Sequence, residues 1–268
     1  MPATAQRIDT QPIQLVTAAL AAAFGDPRHT CPADAAQQQR LRDAWWALVA
    51  PHAGRSTGEL GLGELPPTKG DIEPLCNWLA MPQSVRETAW LHVFGLVIAR
   101  QCPPYETEYC HWKDPTYRAH QLADIAGFFN AFGLEAHPDR PERADHIGLE
   151  LEFIALLAWK LERAQAENDD DAMAICRDAL TWFVKDHVIW WMPTFARCVQ
   201  QRIETHPFVD AVSSQRDALD AMVGIADALR GWTAALRLVV DVEPCRQIIA
   251  PQVDPQPVYA VCETCTTC

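Results

Sequence analysis

Five consecutive residues near the middle of the chain, Glu142-Arg143-Ala144-Asp145-His146, bring two carboxylates, a guanidinium and an imidazole into one short polar stretch. His146 and Glu150 stand one helical turn apart, so an imidazole can meet a carboxylate on the same face, with Asp145 beside it. That set could move a proton, or it could recognise a cation. The structural alternative is an aspartate that caps a helix next to a histidine that only packs. Either way the residues need a positioning frame, and residues 121–161 supply one. Leu122, Ile125, Phe129 and Phe132 recur at helical intervals, and Gly133 sits where a glycine would end that helix. From 147 to 161 nearly every residue is apolar, which predicts a helix buried on most of its surface, with Asp145 as its cap. The cluster therefore belongs to a polar hinge, about 134–146, at the mouth of a buried helix.

Two further groups could bind something. Trp90, Phe94, Pro104 and Tyr105 would form an apolar groove beside the hinge, suited to an extended or helical peptide, although aromatics at helical spacing also serve as core. Cys262, Cys265 and Cys268 form a CxxCxxC at the end of the sequence, three soft ligands for zinc or an iron–sulfur cluster, with Cys245 or an external group as the fourth. A thiol tail open to oxidation or exchange explains the same spacing. No Walker loop, dinucleotide glycine fingerprint, GxSxG elbow or HExxH occurs, so the commonest enzyme classes drop out, and the expectation is a protein that is not an enzyme. A hydrolase built on His146 and Asp145 ranks last, because nothing resembles a phosphate-cradling loop.

Composition narrows the partners. The 268 residues are 49% hydrophobic, enough for a sizeable core, and carry a formal charge of −13, which disfavours nucleic acid and favours a basic peptide. The longest apolar runs, 15–24 and 89–99, are too short for a membrane span of ~18 residues. Before the first of them only Arg7 is basic and Asp9 follows, so no export signal is expected and the cytoplasm is the expected compartment. Most of the ten cysteines, Cys176 and Cys198 among them, read as reduced core thiols.

Helices are expected over 13–24, 33–50, 84–100, 121–132, 147–161, 171–191 and 207–240. Ser84 and Glu87 would form a capping box, Asp171 would cap its helix, and Pro193 would kink or interrupt that one's end. Residues 51–74 are rich in glycine and proline and resolve only as loop or short helical turns. No stretch alternates with period two, so the fold class is all-α, a bundle of eight to ten helices over 1–243, followed by an extended Pro/Cys-rich tail over 244–268.

These motifs, taken together, resemble a known family. Glu142-x-x-Asp145-His146 before Glu150-Leu151-Glu152-Phe153 is similar to the hinge motif of the TorD/DmsD/NarJ family of molybdoenzyme chaperones. Trp90-Leu91-His92-Val93-Phe94-Gly95 looks like that family's aromatic motif, and Pro104-Tyr105-Glu106-Thr107-Glu108-Tyr109 like its Pro-Tyr-Glu-Ser segment. Phe183-x-x-x-His187-x-x-Trp190-x-x-Pro193-x-Phe195 resembles a later helix of the same family. The order holds from about residue 13 to 235. Ala144 stands where proline is usual, Val93 replaces leucine, and the cysteine tail lies outside the shared region. The form of the second segment and the run Ala123 to Phe129 look most like chaperones of periplasmic enzymes of the DMSO reductase type.

The resemblance implies a TorD-like helical domain with no required cofactor. It implies a cytoplasmic chaperone that binds the twin-arginine signal peptide and apo form of a molybdoenzyme catalytic subunit and aids molybdenum cofactor insertion before Tat export. Peptide arginines would pair with Glu142 and Asp145, near His146, and the peptide's apolar part would lie on Trp90, Phe94, Pro104 and Tyr105. Monomer and domain-swapped dimer are both compatible with the hinge. The rival reading is a metal-binding or thiol-redox protein that works through the tail.

Overall fold

The computed structural model describes residues 8–52, 60–95, 101–110, 115–135, 142–205 and 212–246. Among them lie nine α-helices and no strand: α1 Gln11–Phe24, α2 Ala35–Val49, α3 Glu73–Ala80, α4 Gln83–Phe94, α5 Pro115–Ala131, α6 Ile147–Glu167, α7 Asp170–His187, α8 Met192–Thr205 and α9 Ser213–Val239. The fold is all-α, as the periodicity predicts. No described helix is long and apolar enough to cross a membrane.

Two helices organise the core. α6 buries Ile147, Leu151, Phe153, Ile154, Leu157 and Leu161, each contributing about 1.5–3 kcal/mol of gross burial energy, and it packs mainly against α1 and α7. α9 is buried along most of its length and packs on α8, α3 and α4. Its Trp232 indole donates to the Thr17 hydroxyl of α1 at 3.0 Å, which joins the two halves of the chain. Where α9 crosses α3, Gly224 meets the Pro74 ring so closely that a Cβ would collide with it.

The helix ends show where expectation and structure part. Gly133 does end its helix, at φ +79°, with Leu134 N–H donating to the Phe129 carbonyl at 2.9 Å. α6 runs six residues past Leu161, to Glu167, and stops at Asn168 in the left-handed region. Asp169, rather than Asp171, then caps α7, accepting from Ala172 N–H at 2.9 Å. Asp145 is likewise not the cap of α6. His146 is, its Nδ1 accepting from Gly148 N–H at 3.1 Å, because the Asp145 carboxylate is engaged elsewhere. α4 begins at Gln83 after Pro82 and has no side-chain cap, so the Ser84–Glu87 box does not form. Its expected end, 96–100, lies outside the described residues. Pro193 does interrupt: α7 ends at His187, a turn follows, and Pro193 occupies the first turn of α8, where its missing N–H costs nothing. α3, eight residues long, went unread in the sequence. Residues 136–141 of the hinge and 247–268 of the tail are outside the described set.

Candidate functional site

The hinge is built from two short segments that pair. Ile147 N–H donates to the Pro104 carbonyl and Glu106 N–H to the Asp145 carbonyl, both at 2.9 Å, which makes an antiparallel bridge between Tyr105 and His146. Pro103 and Pro104 do not suit a helix interior, so this segment lies extended and then turns into a short 3-10 helix, Glu106–Tyr109. Its side chains project at the start of α6.

Asp145 is fully buried there and well supplied with donors. Its Oδ2 accepts from Thr107 N–H at 3.1 Å, Thr107 Oγ at 2.7 Å and Arg143 Nη2 at 2.8 Å, and its Oδ1 accepts from Arg143 Nε at 3.0 Å. The guanidinium also reaches Glu108 at 3.3 Å and lies 4.3 Å from the centre of the Tyr105 ring. Exposed Glu142 accepts from the Tyr105 hydroxyl at 3.0 Å. Burial, then the charge of Glu142, pushes the Tyr105 phenol well above its ordinary pKa. His146 packs edge-on against Tyr105, and its burial pushes its pKa down, so it is a neutral imidazole whose Nδ1 accepts.

The sequence pairing of His146 with Glu150 is therefore not what forms. Glu150 turns inward, fully buried, to face Glu106 and the Trp191 indole without reaching hydrogen-bond geometry with either. Glu106 is also fully buried, accepting from Gln121 at 2.7 Å and meeting His187 Nδ1 at 3.1 Å, while His187 Nε2 meets the exposed Asp124 carboxylate at 3.2 Å. Burial lowers the His187 pKa, but the bonds and charge of Glu106 and Asp124 outweigh it and hold the pKa above that of free histidine. Burial raises both glutamates, Glu150 most, because Glu106 adds its negative charge to the cost of desolvation. Burial thus favours the protonated form of Glu150, and the carboxylates beside His187 favour its charged form. Among the described residues no group of three or more His, Cys, Asp or Glu could hold a metal ion.

The predicted groove residues are split. Pro104 is buried at the bridge, and Phe94 is buried in the core, stacked at 6.1 Å on Phe195, so neither offers surface in this conformation. Trp90 is half-buried and donates to the Phe24 carbonyl at 3.1 Å. Its link to the hinge runs through the end of α1, where Gly25 lies against Gly148. Tyr105, Glu142, Asp145 and His146 are brought together. Cys262, Cys265 and Cys268 lie outside the described residues. Cys245 is described: its carbonyl accepts from Leu62 N–H at 2.8 Å, and its side chain packs on the core. The buried thiols are poor nucleophiles, with burial pushing Cys76 up to about 11 and Cys102 and Cys110 to about 12.

One comparison with known proteins covers this region. Residues 69–197 match the family model described as nitrate reductase delta subunit, a span that holds the paired segments, α5, α6 and His187. Over that span the chain is similar to the NarJ/TorD family. It is 25% identical over 139 residues to a chaperone protein TorD of a Psychrobacter species, a match covering 49% of this chain and 60% of that one. It is 28% identical over 100 residues to a perchlorate reductase assembly chaperone protein of Dechloromonas aromatica, covering 37% of this chain and 44% of the relative. The chain thus spans about half the length of the curated relatives it matches. The stretch that matches the NarJ/TorD family model contains the site, whereas the cysteine tail lies beyond it.

Proposed function

We propose that this protein is an assembly chaperone for the catalytic subunit of a molybdoenzyme of the DMSO reductase family, acting without catalysis of its own. It would bind the twin-arginine signal peptide of the apo subunit in the cytoplasm and hold that subunit until the molybdenum cofactor is inserted and Tat export can follow. Similarity to the NarJ/TorD family over residues 69–197 and the names of the two relatives support the chaperone role. The observation that carries the peptide reading is the hinge itself. Tyr105, Glu108 and Asp145 gather one aromatic ring and two carboxylates around a guanidinium, with Glu142 on the Tyr105 hydroxyl, the arrangement that recognises arginine. The net charge of −13 would steer a basic segment toward the protein.

Calorimetric titration with synthetic twin-arginine signal peptides, each beside a control with both arginines changed to glutamine, tests this. Arginine-dependent binding is expected. Equal affinity for both peptides, or none for either, would refute it. Glu142→Gln is the first variant to titrate, since Glu142 is exposed and its loss leaves the core untouched.

A further inference from the structure

The arginine that occupies the hinge belongs to the chain itself. Arg143 makes a two-pronged contact with Asp145, bonds to Thr107 Oγ at 2.7 Å, reaches Glu108 at 3.3 Å and lies over Tyr105, while its side chain remains 35% exposed. The receiving groups come mainly from another part of the chain, the 3-10 segment and the residue before it, 35 to 38 positions away in sequence. They do not need Arg143 to stay in place. The main-chain bridge through Pro104, Glu106, Asp145 and Ile147 excludes it, and Asp145 keeps the N–H and hydroxyl of Thr107 when the guanidinium leaves. Arg143 itself is held by a single turn, through His146 N–H on its carbonyl at 3.0 Å and its own N–H on exposed Glu142 at 3.0 Å. A fixed receptor therefore holds a guanidinium that can swing out to solvent.

We infer that Tyr105, Thr107, Glu108 and Asp145 form a guanidinium-binding site that Arg143 fills in the free protein, and that an arginine of the bound peptide enters by displacing it. The inference rests on the peptide reading above and adds a competitor to it. Lysine would be a poor substitute, because an ammonium cannot span both carboxylate oxygens while stacking flat on a ring. Self-occupancy lowers apparent affinity by the fraction of time the site stands open. If Arg143 is out for about a tenth of the time or less, removing it gains about tenfold or more in affinity.

The test compares wild type, Arg143→Ala and Arg143→Lys, each checked for fold by circular dichroism, with the twin-arginine peptide, its double-glutamine control and ethylguanidinium. Arg143→Ala should bind the twin-arginine peptide about tenfold or more tighter than wild type, with the control unchanged. Millimolar ethylguanidinium should raise the melting temperature of Arg143→Ala and not that of wild type. Arg143→Lys should lie between the two in peptide affinity. If Arg143→Ala proves too unstable to titrate, the Arg143→Lys comparison decides, and affinity no tighter than wild type overturns the inference. A folded Arg143→Ala that keeps arginine-dependent binding at or below wild-type strength would also overturn displacement while leaving the peptide reading intact. If neither wild type nor variant distinguishes the peptide from its control, the peptide reading falls and displacement falls with it.

Discussion

Glu150→Gln should make this protein more stable, and by an amount that grows with pH. Glu150 is fully buried, faces Glu106, and has no cation of its own, so burial and the neighbouring carboxylate hold its pKa well above that of an exposed glutamate. An unfolded chain releases the Glu150 proton near pH 4.3, whereas the folded chain keeps it well above that. Folding therefore takes up a proton at every pH between those limits, and stability falls as pH rises through the window, by about 1.4 kcal/mol per pH unit for one proton. Each pH unit between the unfolded and folded values is worth roughly 3–5 °C in melting temperature for a domain of this size. Glutamine has the shape of the protonated acid and an amide N–H to offer Glu106, but no proton to hold. His187 remains in both proteins. With its folded pKa raised, its stabilisation is complete below about pH 6.5 and is lost as pH rises through the folded value, so it largely cancels in the difference. Thermal melts of both proteins at half-unit intervals from pH 5 to pH 7.5 give the gap directly. A gap that stays flat, or closes with rising pH, would show that Glu150 is ionised in the fold and that the assignment of charges in this cluster is wrong.

Other substitutions test other joints. Asp145→Asn removes the charge on which Arg143 and Thr107 converge and should cost about 1–3 kcal/mol in urea denaturation, so it weakens the hinge as well as any peptide contact. Glu64→Ala removes the carboxylate of a buried pair, in which Arg237 Nε lies 2.9 Å from Glu64, and should cost about 3–5 kcal/mol by the same measurement. Gly224→Ala pushes α9 off the Pro74 ring and should cost about 1–3 kcal/mol, whereas Gly127→Ala, with open space at its Cβ and mid-helix backbone, should be neutral or slightly stabilising.

What the sequence made legible was whatever repeats locally. The buried faces of α2 and α6 follow from spacing alone, and Gly133 ends α5 because glycine readily takes a positive φ. α3 was hidden because eight residues between proline-rich stretches give too few turns for a period to register. The cap of α6 was misplaced because Asp145 and His146 are both able acceptors in sequence. Only the position of Thr107 and Arg143, one of them 38 residues distant, decides that the aspartate faces away. The Glu106, Glu150 and His187 cluster spans 81 positions, and its members fall in three separate motifs whose meeting no spacing announces. A signal did exist. Glu150 shares its helix face with Ile147, Leu151 and Ile154, and His187 shares one with Leu180, Phe183 and Val184. A charged residue inside an apolar stripe is costly unless it meets a partner or gives up its charge, so His187 pointed to a buried partner and Glu150 to a proton held.

The union of α1 with α6 and α9 bears on how the chain is made. The N-terminal helix finds its main partner more than a hundred residues later, and Thr17 receives the Trp232 indole across a separation of 215 positions. A ribosome adding ~5–20 residues per second leaves the apolar face of α1 without its final neighbours for roughly 10–40 s. Until α6 and α9 are made, the face carrying Ile13, Val16, Leu20 and Phe24 lacks part of its cover. This protein must itself pass through a stage of exposed apolar surface before it can shield another, and conditions that slow its translation should lower its soluble yield before they lower its folded stability.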